Sequence, residues 1–257
     1  MINDCELTRD NSPLAASPAY SDIVEKTIHK QIPFKADWEI TYRCNLKCSH
    51  CYQTGPTGQK ELTTEDAFIV LDKLAEAGCL FLTFSGGEIL LRDDFFLIAE
   101  YAKKKSFAIR LFSNGTLIDD NTANRIKALN PLSVEISLYG AGANTHEAIT
   151  QAQGSFKKTL NALKILSERN VNLIVKSTIT PECISEIDRM RTLAHSLNAG
   201  FLFSLLMLPK IDGNKDVLRH RLTAEQLKEI FTRHSFLTEG VTEGGVRAYN
   251  PLCSAGF

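Results

Sequence analysis

Apolar, β-branched runs alternate with amphipathic segments six times along this chain, and that rhythm restricts its fold more than any other feature. The extended runs cover 37–43, 80–84, 107–112, 132–139, 171–179 and 200–206. Helical segments begin near Thr64, Asp94, Asp119, Ser155, Ile184 and Thr223. Thr63-Thr-Glu-Asp66 and Thr223-Ala-Glu-Gln226 have the form of capping boxes, and Gly78 and Asn170 stand where helices should end. Consecutive β-α units demand parallel strands with right-handed crossovers, so the class is α/β. Six units fall two short of a closed eightfold barrel, and periodicity alone leaves a partial barrel and an open doubly wound sheet both available. In either fold, functional groups gather where strands end and the following loops begin.

Residues 1–35 are polar, carry Ser-Pro and Ile-Pro breaks, and read as an N-terminal extension with one short helix around 21–30. The opening "MINDCELTRD" is interrupted by acids and Arg9, unlike a signal peptide. No apolar run approaches the length needed to cross a bilayer. A net charge of −1 supplies no attraction for nucleic acid or an anionic membrane, so neither is expected as a partner. Of seven cysteines, Cys5, Cys79, Cys183 and Cys253 are scattered, which is not the pattern of a disulfide scaffold. The expected location is the cytoplasm.

The other three crowd into "ITYRCNLKCSHCY" at 40–52, directly after the first extended run. Cys44, Cys48 and Cys51 would occupy the first βα loop, at the functional end of the sheet. A structural zinc site would need a fourth ligand, and no second Cys or His pair follows; His50 lies between two of the thiols. A dithiol redox centre would leave one thiol unexplained. An iron–sulfur cubane held by three thiolates, with one iron open, fits the count best.

This Cys-x3-Cys-x2-Cys spacing, with an aromatic residue before the last Cys, resembles the signature of the radical S-adenosylmethionine (radical SAM) superfamily. The similarity extends over nearly the whole chain from residue 36. It implies a six-fold (β/α) partial TIM barrel at 36–235 in which Cys44, Cys48 and Cys51 hold a 4Fe–4S cluster. It also implies that the open iron chelates S-adenosylmethionine, and that one-electron cleavage yields a 5′-deoxyadenosyl radical that abstracts hydrogen from substrate. Flavodoxin or ferredoxin is the reductant implied.

The same resemblance distributes roles along the strand ends. "FSGGEI" at 84–89 matches the segment for the methionine amino group, with Gly86, Gly87 and Glu88 as contacts; Ile89 replaces the usual Pro. Ser113 and Asn114, in "LFSNGTLI", and Ser137 would lie near the ribose and methionine parts of the cofactor. Tyr52 resembles the residue whose backbone meets adenine. Lys176 interrupts an apolar strand and is either a partner for the cofactor carboxylate or an outward surface lysine. Cys183 follows strand five and is either a hydrogen-atom donor to a substrate radical or a packed thiol; Cys79 reads as a packed small hydrophobe.

The final "PLCSAGF" resembles the opening of a SPASM or twitch extension, with Cys253 as first ligand of an auxiliary iron–sulfur cluster. That implies a truncated auxiliary domain at 236–257. The run beginning "SVEISLYGAGANTHEAIT" at 133–150 is similar to maturases of ribosomally made peptides and proteins, although Gln151 stands where Gly is common. A peptide or protein substrate is therefore expected. The alternatives are a haem-pathway enzyme acting on porphyrin side chains and a non-catalytic metal-binding module or inactive fragment.

Overall fold

The six extended runs become six strands in the computed structural model, which describes residues 18–55, 58 and 60–233. They are β1 (Lys35–Thr41), β2 (Phe81–Gly86), β3 (Ala108–Ser113), β4 (Ser133–Ser137), β5 (Leu173–Thr178) and β6 (Gly200–Ser204). The helices are α1 (Pro18–His29), α2 (Thr64–Glu76), α3 (Phe95–Lys104), α4 (Asp120–Leu129), α5 (Ala143–Thr150), α6 (Ser155–Glu168), α7 (Ile187–Ser196) and α8 (Ala224–Arg233).

Every strand pairs in parallel with its sequence neighbour, giving the order β1-β2-β3-β4-β5-β6. A doubly wound sheet would reverse order at its switch point; this one never does. The fold is the partial (β/α)6 barrel. Alternation along each strand separates two faces. Leu82, Phe84, Ile109, Leu111, Val134 and Val175 point toward the helices and are almost fully buried with Leu71, Ile98, Ile126, Leu163 and Met190. The opposite, concave face carries Ser85, Arg110, Glu135, Ser137, Lys176 and Thr178, so the two faces differ in polarity along the same strands.

Local signals behave as their chemistry requires. Thr63 and Asp66 form the reciprocal capping box of α2. Thr223 and Gln226 exchange the equivalent bonds at the start of α8. Gly78 (φ +88°) and Asn170 (φ +50°) carry the chain out of α2 and α6 in left-handed backbone. Every strand end falls within two residues of expectation, and three differences bear on the site. β1 ends at Thr41 rather than at residue 43, because its pairing with β2 shifts register between Glu39 and Thr41. The helix expected at Ile184 begins with a 3-10 turn, Ile184–Glu186, before α7. And α5 was not expected: only 8 residues long and behind Gly140 and Gly142, it has little apolar periodicity to signal it. No helix among the described residues is long and apolar enough to cross a membrane. The expected boundary at 235/236 and Cys253 lie outside the described residues.

Candidate functional site

The cysteine loop leaves β1 at Thr41, and its stem is clamped by the end of β2. Gly87 N donates to Thr41 O at 2.8 Å and Glu88 N to Arg43 O at 2.8 Å. A Cβ on Gly86 would stand 2.2 Å from Thr41 O, and one on Gly87 2.1 Å from Arg43 O. From sequence these glycines are expected to let the backbone approach a ligand. The structure shows that what approaches them is the backbone of 41–43, the stem of the cysteine loop.

Glu88 is likewise engaged from within. Its carboxylate is wholly buried and accepts from Ser113 Oγ at 2.8 Å, Asn114 N at 2.7 Å and Leu90 N at 3.2 Å. Burial pushes this carboxyl up, against the pull of the three donors. Glu88 thus ties the end of β2 to the end of β3. Asn114 carries the linkage onward: Nδ2 donates to Asn45 Oδ1 at 2.9 Å and lies 4.0 Å from Cys44 Sγ. Its Oδ1 accepts from Thr116 N at 2.9 Å and Thr116 Oγ1 at 2.6 Å.

The far side of the loop rests on α5, which sequence reasoning missed. Lys47 N donates to Thr150 O at 3.1 Å and Ser49 N to Ile149 O at 2.8 Å, so the orphan carbonyls at this helix's end are used to hold the loop. Behind it, His50 sits edge-on to Tyr139 with ring centroids 4.5 Å apart, and Tyr139 stacks on His146 at 5.9 Å. His146 Nδ1 accepts from Tyr139 N at 3.2 Å, which leaves the proton on the buried Nε2. The single His146, midway along the polar connection between β4 and α6, would have been the only signal.

Burial lowers the His146 pKa to about 4 from its ordinary 6.5. A base whose folded pKa is depressed stabilises the fold while neutral, and that contribution is lost as pH falls from about 6.5 toward 4, to a total of about 3 kcal/mol. His146→Gln keeps an acceptor for Tyr139 N but does not titrate. Urea unfolding at several pH values should therefore show the wild type losing about that much more stability than the variant over this interval. Parallel losses in both proteins would show that His146 does not carry the acid sensitivity.

All three loop thiols are free, Cys44 exposed and Cys48 and Cys51 half-buried. Burial, then the charges of Cys51 and Cys44, push Cys48 up to about 12; burial also raises Cys44 and Cys51. Three thiols that oppose one another's ionisation in a poorly solvated loop are a donor set that a cationic centre would relieve. Among the described residues no three His, Cys, Asp or Glu side chains converge as for a single metal ion. A cubane places each thiolate on a different iron and does not need such convergence.

The remaining expected residues divide sharply. Ser137 and Lys176 face each other in register at the concave ends of β4 and β5. Lys176 Nζ lies 3.3 Å from Glu135 Oε2 and 3.8 Å over the Phe112 ring. It is therefore not the outward surface lysine that sequence allowed. Tyr52 donates its hydroxyl to Glu39, and its carbonyl accepts from Ile211 N at 2.9 Å, tying the loop to the segment after β6. For Cys183 the sequence allowed a hydrogen-atom donor or a packed thiol. It is fully buried in the core, its Sγ accepts from Thr180 N at 3.3 Å, and burial pushes the thiol up. Cys79 is buried, with Sγ 3.4 Å from Phe81 O, as a packed thiol should be.

A profile of the radical SAM superfamily matches residues 38–194. The AdoMet-dependent heme synthase of Methanosarcina barkeri is 31% identical over 180 residues, 69% of this chain and 52% of that protein. The mycofactocin maturase MftC of Mycolicibacterium smegmatis is 30% identical over 238 residues, 87% of this chain and 60% of that one. Among solved structures, Streptococcus suis SuiB bound to precursor peptide SuiA superposes with a TM-score of 0.63 at 15% identity, covering 84% of this chain and 51% of SuiB. The chain thus spans between half and two thirds of the length of these relatives.

Proposed function

The chain belongs to the radical SAM superfamily, and on that premise we propose that Cys44, Cys48 and Cys51 hold a 4Fe–4S cluster used with S-adenosylmethionine to modify a ribosomally made peptide or protein. The observation that carries this reading is the position of the thiols. Three free cysteines lie on one loop, directly after the first strand of a sequentially wound parallel sheet, at the end where such folds place chemistry. When bound, cluster and S-adenosylmethionine supply one-electron cleavage of the sulfonium and hydrogen-atom abstraction from substrate.

The protein's own contribution is placement. Gly86 and Gly87 seat the loop stem; Glu88, through Ser113 and Asn114, locks β2, β3 and the loop together. Ser137 and Lys176, on the concave face, are the polar groups offered toward the methionine and ribose of the cofactor, and Tyr52 the backbone offered toward adenine. The likeness to MftC over 87% of the chain favours a peptide substrate. The likeness to a heme synthase supports a second reading, modification of a porphyrin side chain. Residues 236–257 would begin a SPASM or twitch extension, with Cys253 as a ligand of an auxiliary cluster.

Anaerobic reconstitution with iron and sulfide should produce the visible absorption of a cubane, and reduction with S-adenosylmethionine should release 5′-deoxyadenosine. Stoichiometric zinc without iron–sulfide uptake would overturn the proposal. Co-expression with a short peptide encoded beside the gene, followed by mass spectrometry, separates the two substrates. A mass change on the peptide supports maturation, and turnover of an iron porphyrin alone supports the second reading.

A further inference from the structure

We infer that Asn114 is a positioning residue for Cys44 that raises the reduction potential of the cluster, rather than a ligand for the nucleoside; this rests on the cluster assignment above. Both ends of its amide are already committed. Oδ1 accepts two bonds from Thr116, and Nδ2 donates to Asn45 Oδ1 with Cys44 Sγ 4.0 Å away. Asn45 closes the ring by donating Nδ2 to Thr116 Oγ1 at 2.7 Å. The backbone of Asn114 is committed too, its N–H to Glu88 Oε2 at 2.7 Å and its carbonyl to Thr159 Oγ1 at 2.8 Å. A side chain held at so many points cannot swing out to meet a sugar without breaking the turn it belongs to.

The same fixation aims an N–H at the first thiolate of the loop. Leu46 N points at that sulfur as well, at 3.5 Å. Cys44 is the most exposed of the three thiols, yet it is the one that receives two N–H groups. Donors to a cluster sulfur stabilise the more negative, reduced state and so make reduction easier. The Asn45–Asn114–Thr116 ring joins two loops 69 residues apart in sequence.

The test is an EPR-monitored redox titration of the reconstituted, full-length protein in the absence of S-adenosylmethionine, with dithionite and mediators. In the cluster-loaded fraction of Asn114→Leu, whatever its yield, the ratio of reduced to oxidised cluster at fixed poise should fall about tenfold, a shift of 59 mV for a one-electron couple. Asn114→Asp keeps the acceptor for Thr116 but has no N–H to donate, so it should shift the potential in the same direction even if leucine disturbs folding. Binding of S-adenosylmethionine to the oxidised cluster should be unchanged in both. A wild-type potential in either variant, or weakened S-adenosylmethionine binding at that potential, overturns the inference while the cluster assignment stands. A wild-type protein that takes up no cubane removes both.

Discussion

Replacing any one of Cys44, Cys48 and Cys51 by alanine should abolish cubane uptake and 5′-deoxyadenosine release, while the metal-free protein stays folded. Each thiolate would carry a different iron, so no remaining sulfur can take over the missing position. Outer groups around metal ligands already cost roughly 10–100-fold in affinity or activity when removed, and loss of a ligand should exceed that range. Stability should move little. The thiols oppose one another's ionisation, they lie on an exposed or half-buried loop, and the loop is held by backbone bonds from β2 and α5 rather than by its sulfurs. A change of about 1 kcal/mol or less in urea unfolding of the metal-free variants is expected. Iron and sulfide content, visible absorption and product release check the first part. Full iron content in a single-alanine variant would show that this loop is not the cluster's support.

Gly86→Ala and Gly87→Ala should be the most destabilising single-methyl additions in the described chain. The new Cβ atoms would meet Thr41 O at 2.2 Å and Arg43 O at 2.1 Å, and both obstacles are backbone. Neither oxygen can retreat without losing the bond it receives from Gly87 N or Glu88 N. Overpacking against backbone should cost about 3 kcal/mol or more. At Gly86 the left-handed φ of +127° adds strain on the order of 1–3 kcal/mol. Because the displaced segment is the stem of the cysteine loop, cluster retention should fall together with stability. Gly142→Ala is the control: its Cβ would meet nothing within 4 Å and its backbone is extended, so the cost should stay near 1 kcal/mol. Equal unfolding midpoints for Gly86→Ala, Gly87→Ala and Gly142→Ala would show that the loop stem yields easily.

Much of the fold was legible because its signals are local. Strand alternation needs only five to eight residues to show, the Thr63–Asp66 box only four, and the thiol loop eight, from Cys44 to Cys51. Where those signals were weak the expectation failed. α5 offers eight residues and two preceding glycines, too little periodicity to announce a helix, yet it holds one whole side of the cysteine loop.

By itself, then, the sequence determined the α/β class, the six β-α units, the three thiols and their place after the first strand. Only the tertiary structure decided that strand order never reverses, that Gly86 and Gly87 pack against 41–43, that Lys176 has Glu135 beside it, and that Cys183 is sealed in the core. The physical reason is range. Periodicity and caps are written in neighbouring residues, whereas register, close backbone approach and the partner of a polar strand residue arise between segments tens of residues apart.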